Sequence, residues 1–178
     1  MRMDRVWAMP VGANTFDCKP IGSFVKKYLR ESTVSIDPFA RNKRWATYTN
    51  DLDPRTDAMY HMDALDFLQK LKQDGINADL VIFDPPYSPR QIKELYDSIG
   101  LKTYQEMAHR TAAWSKERAV VDSLLSVGGK FLWFNWNSIG MGKKYKTLEL
   151  LLVCHGAAHN DTICMAQEKI AHQQGLGL

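Results

Sequence analysis

The chain has 178 residues, 45% of them apolar or aromatic, enough for the hydrophobic core of one domain. Charged residues make up 24%, which excludes wholesale disorder and collagen-like chains, and no apolar run approaches the roughly 18 residues of a membrane span. The net charge of +3 is uneven: residues 1–50 carry nine Lys/Arg against four Asp/Glu, 51–100 five against ten, and 101–178 nine against six. A carboxylate-rich middle between basic flanks suits a hydroxyl-rich or cationic small molecule held beside a polyanion; ordinary solvated surface charge is the plain alternative.

Residues 1–19 show no clear period and read as irregular. Residues 1–5 lack the apolar stretch of a secretory signal, and none of the three cysteines, Cys18, Cys154 and Cys164, sits in a CxxC, so a reducing cytoplasm is expected. Pro20 opens a helix with Ile21, Phe24, Val25, Tyr28 and Leu29 at helical offsets. Strands follow over 33–36 and 45–49, ending at Asp37-Pro38 and Asn50-Asp51, and a short one over 60–62 ends at Asp63. A helix over 64–73 turns Leu65, Leu68 and Leu71 inward and stops at Gly75. The continuous apolar run at 80–83 is of the kind buried on both faces of a parallel sheet. Helices over 90–98 and 105–126, a strand over 130–136, and closing strands over 147–154 and 162–169 complete the chain. Strands alternating with helices give an α/β fold, a doubly wound and mostly parallel sheet with an antiparallel edge hairpin, as one domain over 1–178.

Asp37, Asn50/Asp51, Asp63 and Asp84 each follow a predicted strand, and ligands of open parallel sheets bind outside the carboxyl ends of the strands. One such Asp is an ordinary turn or cap residue; four in succession converge on one crevice. The sharpest signal is Asp84-Pro85-Pro86-Tyr87. Two prolines stop the strand and stiffen the backbone as it emerges, and Pro86 offers no N–H. An acidic acceptor, the Pro85 carbonyl and the Tyr87 ring together suit a planar ligand with an exocyclic amine.

This segment resembles the catalytic motif of the amino-methyltransferases, and Asp-Pro-Pro-Tyr is most typical of adenine-specific DNA methyltransferases. Similarity to small phage-type DNA adenine methylases, of the kind found in restriction–modification, extends over much of the chain. Asn14-Thr15-Phe16-Asp17 with Lys19-Pro20-Ile21 resembles their N-terminal cofactor motif, Asp37-Pro38-Phe39-Ala40 the loop after the first strand, Asn50-Asp51-Leu52-Asp53 the acidic end of the second, and Tyr60-His61-Met62-Asp63-Ala64 the third. The resemblance implies a Rossmann-like fold, S-adenosylmethionine as cofactor, no metal, and methyl transfer to N6 of a flipped adenine in DNA. It implies catalytic roles for Asp84, Pro85, Pro86 and Tyr87. Phe16, Lys19, Asp37, Pro38, Phe39, Arg41, Asp51, Asp53, Asp63 and Ala64 are implied cofactor contacts, with Asp37 near the methionine end, Asp51 or Asp53 at the ribose and Asp63 near the adenine amine. One departure matters: Arg41-Asn42 stands where the family has a glycine-rich stretch, so Arg41 either holds the methionine carboxylate or weakens cofactor binding.

Two other readings stay open. An RNA amino-methyltransferase, for instance one acting on guanine N2 of ribosomal RNA, carries a similar motif, and a catalytically idle phage anti-restriction protein is the reading from another class. Cys154, His155, His159 and Cys164 have no common zinc spacing and read as a polar turn. Phe131, Trp133, Phe134 and Trp136 read mostly as core, while Asn135 and Asn137 are placed to reach the site. Arg41, Lys43 and Arg44, with Lys143, Lys144 and Lys146, are either phosphate contacts or solvated loops. No insertion large enough to read several base pairs is evident, so a short or relaxed target context is expected, with a homodimer or partner subunit as another source of reading surface.

Overall fold

The computed structural model describes residues 1–10, 12, 14–101, 114–156 and 159–171. Seven strands form one sheet: β1 (Arg2–Trp7), β2 (Ser35–Asp37), β3 (Tyr48–Thr49), β4 (Ala78–Phe83), β5 (Leu125–Asn135), β6 (Tyr145–Cys154) and β7 (Thr162–Lys169). Their order is β1-β6-β7-β5-β4-β2-β3, and only β7 runs antiparallel to its neighbours. Among the described residues four helices cover it: α1 (Lys19–Leu29), α2 (Ala64–Gln73), α3 (Pro89–Ser98) and α4 (Ser115–Leu124).

Alternation along the central strands builds two cores. Leu80, Ile82, Leu132 and Phe134 face α1, whose Ile21, Phe24 and Val25 are buried against them. Val81, Phe83, Phe131 and Trp133 face the other way, onto Phe67, Leu68 and Leu71 of α2 and Val121 and Leu124 of α4. Phe83 and Trp133 stack at 5.8 Å with planes 10° apart. Central strands apolar on both faces explain why 80–83 reads as an unbroken hydrophobic run.

Several expectations need correcting. Residues 2–7 are a strand, pairing in parallel with β6 over Arg2↔Glu149 to Trp7↔Cys154. The β6–β7 hairpin forms, but β1 lies outside it and β7 lies between β5 and β6. The strand over 45–49 shrinks to Tyr48–Thr49, because Trp45 leaves the sheet to stack on Phe16 at 5.8 Å. That over 60–62 reduces to a single bridge between Asn50 and Tyr60. Of the helix over 105–126, residues 105–113 lie outside the described residues; the rest ends at Leu124, and Gly128-Gly129 fall inside β5.

Candidate active site

The chain runs from β2 outward to β3, then returns to place β4 on the other side of β2. Ligands of doubly wound sheets bind at such a reversal. Asp37 ends β2 and Asp84 follows the end of the adjacent β4, and the Asp84 charge helps to raise the Asp37 carboxyl.

Two adjoining crevices open at this edge. The larger, about 530 Å³, is lined by the whole of Asp84–Tyr87, with Thr15, Arg41, Asp53 and Arg55 on one side and Trp136 and His155 on another. The smaller, an apolar slot of about 60 Å³, lies between Pro38, Leu52, Met62, Asp63, Ala64 and Pro86. Phe39 and Pro86 line both.

Asp84 is half-buried, and the Tyr87 hydroxyl donates to its Oδ1 at 2.5 Å. Burial pushes its carboxyl up to about 6, against the opposing pull of the Tyr87 and Thr15 hydroxyls and the Arg41 charge. Thr15 is brought there by a 3₁₀ turn over Thr15–Asp17, packed so tightly on α1 that a Cβ at Gly22 would lie 2.5 Å from the Phe16 carbonyl oxygen. Tyr87 meets Trp136 edge-on, centroids 5.6 Å apart at 74°. Its backbone N–H is fixed by Gln91 Oε1 at 2.6 Å, and Ser88 caps α3 by accepting from Gln91 N at 3.3 Å.

Asp37 is 1% exposed; its Oδ1 accepts from Phe39 N at 3.0 Å while Oδ2 has no hydrogen-bond partner. Burial first, then the charges of Asp84 and Asp51, push its carboxyl well above the usual range. A buried carboxylate oxygen without a donor is costly, and a cationic or N–H ligand group relieves it.

The neighbouring acids divide their work. Asp51 braces the loops, accepting from Arg41 N at 3.0 Å and Asp53 N at 2.9 Å. Asp53 lines the crevice, held down to about 2 by the two-pronged guanidinium of Arg55. Asp63 lines the slot and also caps α2, accepting from Leu65 N at 2.9 Å. Asn50, fully buried, ties the three loops together: it donates to the Pro38 and Met62 carbonyls and accepts from Met62 N. Arg41 takes φ 48°, in the left-handed region, so the loop keeps a glycine-like backbone with an exposed arginine on it.

Not every expected residue gathers here. Phe16 is buried in the α1-side core between Trp45 and Phe134, Lys19 is exposed at the start of α1, and Asp37 and Asp51 are buried; none of the four lines a crevice. Asn135 and Asn137 do not line the larger crevice; Asn135 Oδ1 accepts from Trp136 N at 2.7 Å and Asn137 Nδ2 at 2.9 Å. Lys143, Lys144 and Lys146 lie at the start of β6, the opposite edge of the sheet, and Lys43 pairs with Asp17 at 2.6 Å. Among the described residues no group of three or more His, Cys, Asp or Glu is placed to hold a metal. Cys154 instead accepts from Arg5 Nε, and the His155 ring bridges the Met9 carbonyl and the Thr162 hydroxyl. Thr15, inside the segment that resembles the cofactor motif, lines the crevice although Phe16 and Lys19 were the expected contacts, and Trp136, Arg55 and His155 line it without having been assigned a site role. Among the described residues no helix is long and apolar enough to cross a membrane.

No protein-family profile and no curated protein matches the sequence. In structure the chain is similar to TrmN from Thermus thermophilus, at TM-score 0.56 and 11% identity over 86% of this chain and 49% of that one. It is similar to yhhF from Escherichia coli, a candidate methyltransferase, at 0.55 and 11% over 92% of each chain. It is also similar to SMU.776, a candidate methyltransferase solved with SAH, at 0.53 and 15% over 81% of this chain and 48% of that one. The chain thus spans about half the length of the first and third and nearly all of the second. At these identities the likeness speaks to architecture: the chain has the doubly wound, mostly parallel fold that these three proteins share.

Proposed function

We propose that the chain is an S-adenosylmethionine-dependent methyltransferase acting on the exocyclic N6 of adenine in DNA. The observation that carries this reading is the position of Asp84-Pro85-Pro86-Tyr87 at the switch point, all four lining the larger polar crevice and Pro86 also the apolar slot.

The residues fit the cofactor. The slot between Pro38, Leu52, Met62 and Pro86 suits a flat purine, with Asp63 at its edge for the exocyclic amine. Asp53 in the larger crevice suits ribose hydroxyls and Arg41 suits a carboxylate, while Asp37, which lines neither crevice, keeps a buried Oδ2 without a partner. When bound, S-adenosylmethionine supplies a methyl group already activated on a sulfonium.

The chain's own work is then positioning. The adenine amine is a poor nucleophile because its lone pair is delocalised into the ring. Asp84 and the Pro85 carbonyl accept its two N–H groups and hold the nitrogen pyramidal, its lone pair directed at the methyl. As the methyl–nitrogen bond formed and the methyl–sulfur bond broke, leaving a neutral thioether, the amine would give up a proton, and an Asp84 carboxylate whose carboxyl is shifted to about 6 would be matched to receive it near neutral pH. Tyr87 and Trp136 supply ring surfaces for a base taken out of its stack.

Tritium transfer from labelled S-adenosylmethionine to DNA and to RNA, followed by nucleoside analysis, tests the reading. Labelled N6-methyladenine from DNA supports it, label in guanine of RNA replaces it with the RNA reading, and tight cofactor binding with no transfer to either points to the idle binding protein.

A further inference from the structure

We propose that β1 is a dimerisation edge, and that its occupant is β1 of a second copy of this chain, added antiparallel so that one sheet runs through both.

Among the described residues β1 is the outermost strand, paired on one side only, with β6. The Ala8 N–H donates to the Cys154 carbonyl at 3.0 Å, so by alternation the backbone N–H and C=O groups of Met3, Arg5 and Trp7 point away from β6. A long edge with free backbone groups is ordinarily blunted by proline, a bulge or cover. Here it instead presents large apolar side chains on one face: Met3 is 64% exposed and Trp7 68%, with Met9 just beyond at 84%. The other face is conventional, Val6 and Ala8 being half-buried against the α1-side core. Leu150 and Leu152 of β6, opposite Met3 and Arg5, are only partly covered and extend the apolar surface inward.

The strand is complementary to itself. An antiparallel pair related by a two-fold axis through Val6 sets Val6 against Val6, Arg5 against Trp7 and Met3 against Met9, with no like charges opposed. Arg5 and Trp7 are the outward-pointing, hydrogen-bonding positions, as this register requires. The Arg5 guanidinium already lies 5.1 Å from the centroid of its own Trp7 ring, so the exchange replaces an intramolecular cation–π contact by the same contact across the axis. A second copy therefore supplies backbone partners, covers the methionines and introduces no unpaired charge. Because the added strands run the opposite way, the two crevices open at opposite edges of the joined sheet, and each copy takes its own substrate.

The full chain is expected to sediment as a dimer with a Kd on the order of 10 µM, fitting a small interface. Trp7→Lys combined with Met3→Lys should give a monomer with an unchanged circular dichroism spectrum. The register is tested by Val6→Cys: non-hydrogen-bonded partners have Cα atoms about 4.5 Å apart, within disulfide range, so mild oxidation should cross-link this variant far more than Met3→Cys or the wild type. A wild-type chain that stays monomeric at about ten times that Kd overturns the proposal, as does a dimer unaffected by the double lysine variant or one cross-linked better through Met3→Cys.

Discussion

The Tyr87 hydroxyl donates to Asp84 Oδ1 at 2.5 Å, so the tyrosine of the motif satisfies the motif's own carboxylate. A target amine must displace that hydroxyl to reach the same oxygen. Asp84→Ala is therefore expected to abolish methyl transfer while leaving S-adenosylmethionine affinity, measured by calorimetry, within a few-fold. Near-normal turnover would remove Asp84 from the mechanism. Tyr87→Ala should raise the nucleic-acid KM by about 5- to 100-fold, the loss of one stacked base, whereas Tyr87→Phe keeps the ring and most of the rate.

The pH profile follows from the same pair. If Asp84 accepts the amine it does so when ionised, so the rate should rise with pH through an acid limb centred near 6. Its Tyr87 partner lowers that value, so Tyr87→Phe should move the limb upward. The stability effect has the opposite sense. Because the folded-state value lies above the ordinary 3.8, the folded chain holds the proton more tightly. The destabilising contribution is absent below the ordinary range and grows as pH rises toward 6. Asp84→Asn should consequently melt higher than wild type at pH 7 and not at pH 3; an identical difference at both would contradict the burial argument.

Much of this was legible in the sequence because the relevant signals are local. The α2 span follows from the helical spacing of Leu68 and Leu71 and the Gly75 stop, although Phe67 and not Leu65 is buried, and β4 follows from a run buried on both faces. The strand-end acids mark the switch-point edge because turn chemistry and ligand chemistry both favour Asp there. What escaped was set by partners distant in the chain. β1 has an unremarkable sequence and is a strand only because β6 offers it a ladder. Phe16 belongs to the motif-like segment yet packs into the core, since Trp45 and Phe134 enclose it. Trp136, taken for core by its strand period, sits just past the strand, where the Asn135 side chain turns the backbone outward.

Arg41 holds a left-handed backbone that costs a non-glycine residue about 1–2 kcal/mol. Arg41→Gly removes that strain and adds unfolded-state entropy, so thermal stability should stay within about 1 kcal/mol of wild type. If the guanidinium holds the cofactor carboxylate, the same substitution raises the S-adenosylmethionine Kd by roughly 10- to 100-fold, the value of a charge-assisted hydrogen bond. An unchanged Kd would make the arginine a tolerated replacement for glycine and nothing more.

Asp63 serves two ends at once, as cap of α2 and as the polar edge of the apolar slot. Asp63→Ala removes both, costing about 1 kcal/mol of stability along with cofactor affinity. Asp63→Ser keeps a capping oxygen and should recover the stability but not the affinity. Wild-type cofactor binding by Asp63→Ala would displace the adenine from this slot.

Trp136 is 40% exposed and stands 5.6 Å from Tyr87 with its plane turned by 74°. Two walls so nearly perpendicular cannot sandwich a base between their faces; a base lying flat on one meets the edge of the other. The indole is held in that attitude from behind: Asn135 Oδ1 accepts from both Trp136 N and Asn137 Nδ2, and the buried Trp133 Nε1 donates to the Asn137 carbonyl at 2.8 Å. An exposed ring on a turn braced in this way fills no core, and the proposed function makes it a surface for the substrate base. Trp136→Ala is expected to raise the nucleic-acid KM by about 5- to 100-fold with kcat within a few-fold, since stacking holds the base in ground and transition states alike. Trp136→Phe should restore most of the binding, and S-adenosylmethionine affinity should be untouched in both. A fall in kcat at constant KM would instead place Trp136 in the alignment of the amine, and no change in either would return it to the structural role its strand period suggested.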